Sequence, residues 1–237
     1  MRVAAGKTYY IGKAGKTAVI KTDVDFGTAK FIIDDVGCPN IHAAIFHVQP
    51  SRKAEDVKGI GSLGLGAARI EAKLPGACLL RLENNTVRHF IRWGANQNNG
   101  TAQREILLVD ATGKIDPKTP LMTAFKTVTK ATAYPLEAKP LTIKGGQFTT
   151  IANQCESKYN YHGRNIAINR SNVRLLGVHH YVTGELDHGA PYGGFVSVGC
   201  CANVVVSNCI FTAHRTYRTI GSAGVPVSMG SYDLNCG

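Results

Sequence analysis

Two short segments of this 237-residue chain hold most of the side chains suited to proton transfer and charge neutralisation. Residues 183–194 place Glu185, Asp187, His188 and Tyr192 in a glycine-rich stretch, and residues 212–219 add His214, Arg215, Tyr217 and Arg218. An imidazole or a tyrosine hydroxyl can take up a proton, and a guanidinium can balance negative charge as it builds on a reacting group. Glu185 and Asp187 stand two residues apart, so in an extended segment they share a face. As a pair they suit acid–base work or a divalent cation such as Ca2+, the one cofactor the pattern leaves open.

These groups act together only if the fold sets the two segments side by side, and a repeat predicts that it does. Pro140-Leu141-Thr142-Ile143-Lys144-Gly145 aligns with Asn172-Val173-Arg174-Leu175-Leu176-Gly177 and with Asn203-Val204-Val205-Val206-Ser207-Asn208, at offsets of 32 and 31. Apolar residues fill the second and fourth places of each copy, a Gly or Asn follows where the chain must turn, and a second short strand comes next. Alternation with period two puts Leu141 and Ile143, Val173 and Leu175, and Val204 and Val206 on one face. Gly, and less freely Asn, tolerate the positive φ that a tight corner between strands needs. A period of this size built from β-strands predicts stacked parallel rungs, with Val173 over Leu141 and Val206 over Leu175. On the same offset His214 falls over Thr183 and Arg218 over Asp187, which would face a cationic row with an anionic one.

Composition narrows the partners. A chain of this length with 44% hydrophobic residues removes roughly 70% of its unfolded accessible area on folding, which excludes disorder as its main state. Apolar runs such as residues 43–46 and 204–206 fall far short of the roughly 20 residues of a membrane helix, so no span is expected. The start, residues 1–7, lacks an apolar stretch of signal-peptide length: the protein is cytoplasmic, or it is extracellular or periplasmic after a leader has been trimmed. The net charge is +11, with +8 in the first 140 residues and +3 in the rest. Positive charge spread in this way concentrates polyanions. No helix-turn-helix, zinc finger or aromatic RNA-binding strand is present, and Trp93 stands alone, which favours an acidic glycan over nucleic acid. The seven cysteines are an odd number with no Cys-x-x-Cys spacing and read as buried free thiols. Residues 12–17 end like a phosphate loop but have Tyr10 where its first glycine belongs, and the G-x-G-x-x-G of residues 59–64 follows a charge run instead of a buried strand, so no nucleotide site is assigned.

The first half is less regular. Short β-rich runs at 7–12, 17–27 and 30–35 are cut by glycine and aspartate. Residues 46–139 read as an insertion with irregular strands, in which 67–73 form a helical turn or two and the polar stretch 96–100 tops a hairpin. Residues 159–161 alternate as a strand would, and 227–233 read as a last strand with no cap behind it, a place for self-association. The chain reads as one domain: opening strands at 1–45, the insertion, and regular rungs at 140–237, either cut short at the C-terminus or paired there with another copy.

Residues 203–211, with the opening strand at 6–11, resemble the rungs of the right-handed parallel β-helix proteins of the pectate-lyase-like superfamily. The resemblance implies an all-β fold, a right-handed parallel β-helix with an irregular insertion in its N-terminal half. It also implies a carbohydrate-active role: polysaccharide lyases, glycoside hydrolases and phage tailspikes share that fold, and the fold does not choose among them. A lyase needs a base beside a uronate carboxylate and a cation to neutralise it, roles that His188, His214, Arg215, Tyr217 and Arg218 can fill. Glu185, Asp187 and Tyr192 would then hold substrate, although the carboxylate pair also suits a hydrolase. The expectation is a lyase acting on an acidic polysaccharide, against a non-catalytic tailspike-like or adhesin-like binder. A purely structural reading stays open too, with Arg218 and Asp187 as a solvated ion pair and His179-His180 as one outward and one buried ring.

Overall fold

The computed structural model describes residues 1–12, 14–40, 42–89, 100–153, 163–184 and 194–212. Within them the protein is all-β, with fifteen strands and no helix. The chain divides into two compact units, one formed by Met1–Gln49, Lys139–Gly199 and Asn203–Gly237, the other by Pro50–Ala138 with Cys200–Ala202.

Unit 1 contains β1 (Thr8–Ile11), β2 (Ala18–Ile20), β3 (Val24–Asp34) and β4 (Phe46–Val48); unit 2 interrupts it with β5 (Glu55–Asp56), β6 (Cys78–His89), β7 (Thr101–Val109) and β8 (Lys130–Pro135). Unit 1 resumes with β9 (Leu141–Ile151), β10 (Ile166–Ile168), β11 (Val173–Leu176), β12 (His179–Thr183), β13 (Val196–Val198), β14 (Val204–Ser207) and β15 (Ile210–Phe211). All its pairings are parallel. A seven-stranded sheet runs β1-β3-β9-β11-β14, with β12 beside β9 and β15 beside β12, and a four-stranded sheet runs β13-β10-β4-β2. The parallel pairings follow the repeat. Val173 pairs with both Leu141 and Val204, and Leu175 with both Ile143 and Val206, in the register the 31–32-residue offset calls for. Phe46 pairs with Ile166, 120 positions later, and this gap shrinks to 31 once residues 50–138 are removed.

The corners carry the chemistry foreseen for them. Gly27 pairs with Gly145, and the ladders continue through Gly177 to Asn208; all four have left-handed φ, at 54°, 71°, 62° and 55°. A Cβ on Gly145 would lie 2.6 Å from the Gly27 carbonyl oxygen, so this corner closes only without side chains. Asn172 and Asn203 also have positive φ, and the Asn203 amide donates to the Asn172 side-chain oxygen at 2.9 Å, one rung to the next. The runs at 17–27 and 30–35 are not cut apart by Gly27: β3 passes through it with a shift of register. Inside, Phe31 stacks on Phe148 with ring centroids 4.7 Å apart, and Phe26, Phe46 and Phe195 pack around them.

Unit 2 is antiparallel, in the order β5-β8-β6-β7. Alternation along β6 turns Leu80 and Leu82 inward, with Leu107 of β7 and Ala133 of β8, onto Ile70, Leu121 and Phe125. β6 and β7 pair from Cys78↔Val109 to His89↔Thr101 and so form a hairpin; the polar stretch 96–100 lies, apart from Gly100, outside the described residues. Residues 67–73 are not helical, contrary to the sequence expectation. Ile70 N–H donates to the Gly113 carbonyl at 2.8 Å and Ile115 N–H to Ala68 at 2.9 Å, so an extended pairing already satisfies this backbone, and Ile70 is buried in the unit's core.

Candidate functional site

The parallel registers of unit 1 line up side chains as well as backbone. On the outer face of β3, β9 and β12, Lys30, Gln147 and His179 are register partners in one row, continued by Thr8 on β1 and Ile210 on β15. Two residues along each strand, Ile32, Thr149 and Tyr181 form a second row that Tyr10 extends on β1. Neighbouring members of a row stand one strand spacing apart, about 4.8 Å. Phe31, Phe148 and His180, which alternate with them, point into the core. The outer strip therefore combines an ammonium, an amide, an imidazole, two threonine hydroxyls and two phenols, and Tyr10 is 80% exposed. Tyrosine offers an apolar ring and a polar tip at once, which suits a ligand with both kinds of surface.

Lys30 is exposed and has no acidic partner among the described residues. Lys144, on the other outer face, contrasts with it. Its ammonium lies 3.2 Å from Asp25, and Arg2 approaches the same carboxylate at 3.5 Å. Burial works to raise the pKa of Asp25, but the hydrogen bonds from Lys144 and the Gly27 N–H and the charges of Lys144 and Arg2 outweigh it and hold the carboxyl below its ordinary range.

At the ends of these strands the loops spring from a common foundation. Asp34, Ile151 and Thr183 are register partners, so the chain leaves β3, β9 and β12 at the same edge. Just beyond, Asp35 binds both feet of the loop that follows β9. The Asn153 amide donates to its carbonyl at 3.0 Å, and Arg164 Nε donates to its carboxylate at 2.8 Å. The remaining guanidinium nitrogens reach the carbonyls of Ala43 (3.3 Å) and Gly12 (3.4 Å). Asp35 and Arg164 are fully buried, which a charge tolerates only when paired and hydrogen-bonded in this way.

His179 and His180 divide as the alternation requires. His179 belongs to the outer strip. His180 is buried, with its ring parallel to Phe195 at 3.8 Å and Nε2 within 2.9 Å of the Thr150 hydroxyl. Burial pushes its pKa down to about 3, so it is a neutral core group that cannot serve as an accessible base.

Glu185, Asp187, His188, Tyr192, His214, Arg215, Tyr217 and Arg218 all lie outside the described residues, as do the stretches 159–161 and 227–233. What can be described is the ground beneath the two loops. β12 and β15 pair at His179↔Ile210 and His180↔Phe211, the offset of 31, and Thr212 N–H donates to the His180 carbonyl at 3.1 Å. No group of three His, Cys, Asp or Glu able to share a metal ion occurs among the described residues. Cys78, which is buried, and Cys209, which is half-buried, are free thiols. Sequence reasoning passed over Asp35, Arg164 and the Lys30–Gln147–His179 row. The signal for Gln147 over His179 lay in the repeat itself; Lys30 was hidden by the one extra residue that follows Gly27.

No protein-family model matches the chain, nor does any curated protein. Among solved structures it is similar to the tailspike protein gp49 from Pseudomonas phage LKA1, at 13% identity and a TM-score of 0.44, over 99% of this chain and 40% of that one. It is also similar to the Gp54 tailspike of Acinetobacter baumannii bacteriophage AP22, solved in complex with A. baumannii capsular saccharide, at 11% identity and a TM-score of 0.27, over 86% of this chain and 46% of that one. The chain spans less than half the length of either.

Proposed function

We propose that unit 1 is a stretch of right-handed parallel β-helix that binds a polysaccharide, preferably an acidic one, along the outer faces of β3, β9 and β12. The hand follows from the rule that parallel strands of one sheet are joined by right-handed crossovers in about 98% of cases. The observation that carries the binding role is the paired rows: Lys30, Gln147 and His179 beside Tyr10, Thr149 and Tyr181, presented by strands whose backbone is already fixed. A polar strip with an ammonium that has no acidic partner among the described residues, an exposed phenol at Tyr10 and a half-buried one at Tyr181 binds an extended anionic chain through many weak contacts and needs no catalytic group. This is the role of a non-catalytic tailspike-like or adhesin-like binder. The test is retention of polygalacturonate against a neutral glucan: a Lys30→Glu, Tyr181→Ala variant should lose at least tenfold in affinity for the acidic chain, while equal retention by variant and parent would overturn the strip.

A second reading rests on the β12–β15 pairing, which brings the starts of the two candidate loops to adjacent strands. In it His188, His214, Arg215, Tyr217 and Arg218 abstract a proton beside a uronate carboxylate and neutralise the charge that results, with Glu185, Asp187 and Tyr192 holding the sugar. Turnover would appear as the ultraviolet absorbance of an unsaturated product, lost in Arg215→Ala and Asp187→Ala. Silence of the folded protein across a panel of uronate glycans, with retention intact, leaves the binding reading alone.

A further inference from the structure

We propose that unit 2 carries a separate saccharide site, a cleft that takes a single carboxylate-bearing sugar residue. The cleft occupies about 360 Å³ between residues 56–60, which follow from β5, and residues 128–131, which lead into β8. Its origin is local. Val57 N–H donates to the Ala131 carbonyl at 2.9 Å and Val128 N–H to Gly61 at 3.1 Å, so the two segments are pinned together at both ends. Between the pins the chain bows outward through Gly59, whose φ of +82° is left-handed and whose absent Cβ would meet nothing within 4 Å.

The walls of this bow are chemically mixed. Lys58 and Lys130, both exposed, line the cleft, and neither has an acidic partner among the described residues. Asp56 faces the same space and accepts a hydrogen bond from the Thr132 hydroxyl at 3.3 Å, and Asn85 stands at the end of the cleft. Ile60 and Val128, half-buried against the core of unit 2, supply apolar surface. Each part selects against one simpler ligand. A bare inorganic anion would be drawn by the lysines but repelled by Asp56. A neutral sugar could use Asp56 and Asn85 for its hydroxyls but would leave both ammonium groups without a charge to meet. A sugar acid offers hydroxyls, a C–H face and one carboxylate together. The volume is near the lower end of the roughly 300–1,000 Å³ of small-molecule sites, which fits one ring and not a chain.

This inference does not depend on the strip of unit 1, and the experiment separates the two. The 237-residue chain, labelled with 15N, is titrated with D-glucuronate, with D-glucose and inorganic phosphate as controls. Glucuronate should shift the amides of Gly59, Asn85 and Lys130 with a Kd on the order of 1 mM, in keeping with so small a ligand. Glucose should leave them in place, and a Lys58→Gln, Lys130→Gln double variant should weaken the effect at least tenfold with the rest of its spectrum unchanged. Shifts confined to Gln147, His179 and their neighbours would support the strip and overturn the cleft. Equal binding by the double variant, or equal shifts with phosphate, would overturn it as well.

Discussion

Each unit of this protein buries a carboxylate against arginine, and the two pairs differ in depth. In unit 1, Asp35 and Arg164 are both shut off from solvent at 2.8 Å. In unit 2, Glu83 is held by Arg81 and Arg104, each at 3.2 Å, but the Arg104 side chain is half exposed. The difference follows from what surrounds them. Glu83 lies on β6, whose register is fixed by continuous ladders to β7 and β8, and it adds side-chain contacts to a position already determined. Asp35 lies just past the end of β3, its N–H donating to the Ile151 carbonyl at 3.1 Å, and it gathers two further stretches of chain through Asn153 and Arg164, the latter reaching on to the carbonyls of Ala43 and Gly12. A dry ion pair adds little net stability over apolar groups of the same shape, but it accepts one geometry and rejects others. Unit 1 therefore uses its pair to fix where loops leave the strands, and unit 2 uses its pair on a surface that is already ordered.

The sharpest way to break this contrast is to remove half of the dry pair. Arg164→Met should destabilise unit 1 by about 3–5 kcal/mol, because Asp35 is left buried without its counter-charge. Urea denaturation of parent and variant measures it. Adding Asp35→Leu to the same chain should return part of the loss, since no orphaned charge then remains. A single variant within about 1 kcal/mol of the parent would show that the loops are fastened by something else.

How far the sequence reached depends on whether a residue's neighbours repeat. The register of β9, β11 and β14 was legible because Leu141, Val173 and Val204 recur at a near-constant spacing and a Gly or Asn closes each copy. The join between β4 and β10 was not, because 89 residues of unit 2 stand between strands that belong one rung apart. The helical turn expected at 67–73 was misread from composition, since what decides that segment is its pairing with residues 113–115, a partner no local pattern announces. Asp35 and Arg164 were invisible for a similar reason: they lie 129 positions apart, and neither belongs to a motif. The outward strip was half legible, Gln147 and His179 through the repeat and Lys30 only through the coordinates.

A second test concerns a group that unit 1 buries without a charge. His180 has a pKa of about 3 in the folded protein against 6.5 when free, because burial penalises the imidazolium. Above pH 6.5 neither state carries the proton and stability is at its full value. As pH falls below 6.5 the unfolded chain binds a proton that the folded chain refuses, and stability declines by about 1.4 kcal/mol per pH unit until roughly pH 3. Relative to pH 7, the His180 contribution to this loss is about 2 kcal/mol at pH 5. His180→Phe keeps an aromatic ring against Phe195 and removes the titration, so the parent's stability should fall more steeply than the variant's across this range. Parallel curves would show that His180 meets water in the folded state.

The smallest effect belongs to the half-exposed pair, and its size is the point. Arg104→Ala removes a hydrogen bond of 3.2 Å to Glu83, yet Arg81 stays within 3.2 Å of the same carboxylate and water reaches the site that Arg104 vacates. The loss should be about 0.2–1 kcal/mol and should shrink as salt is raised, since an exposed charge is screened and a dry one is not. Arg164→Met should show no such salt dependence. If Arg104→Ala proves as damaging as Arg164→Met, Glu83 is positioning unit 2 as Asp35 positions unit 1, and exposure was the wrong measure of what these pairs do.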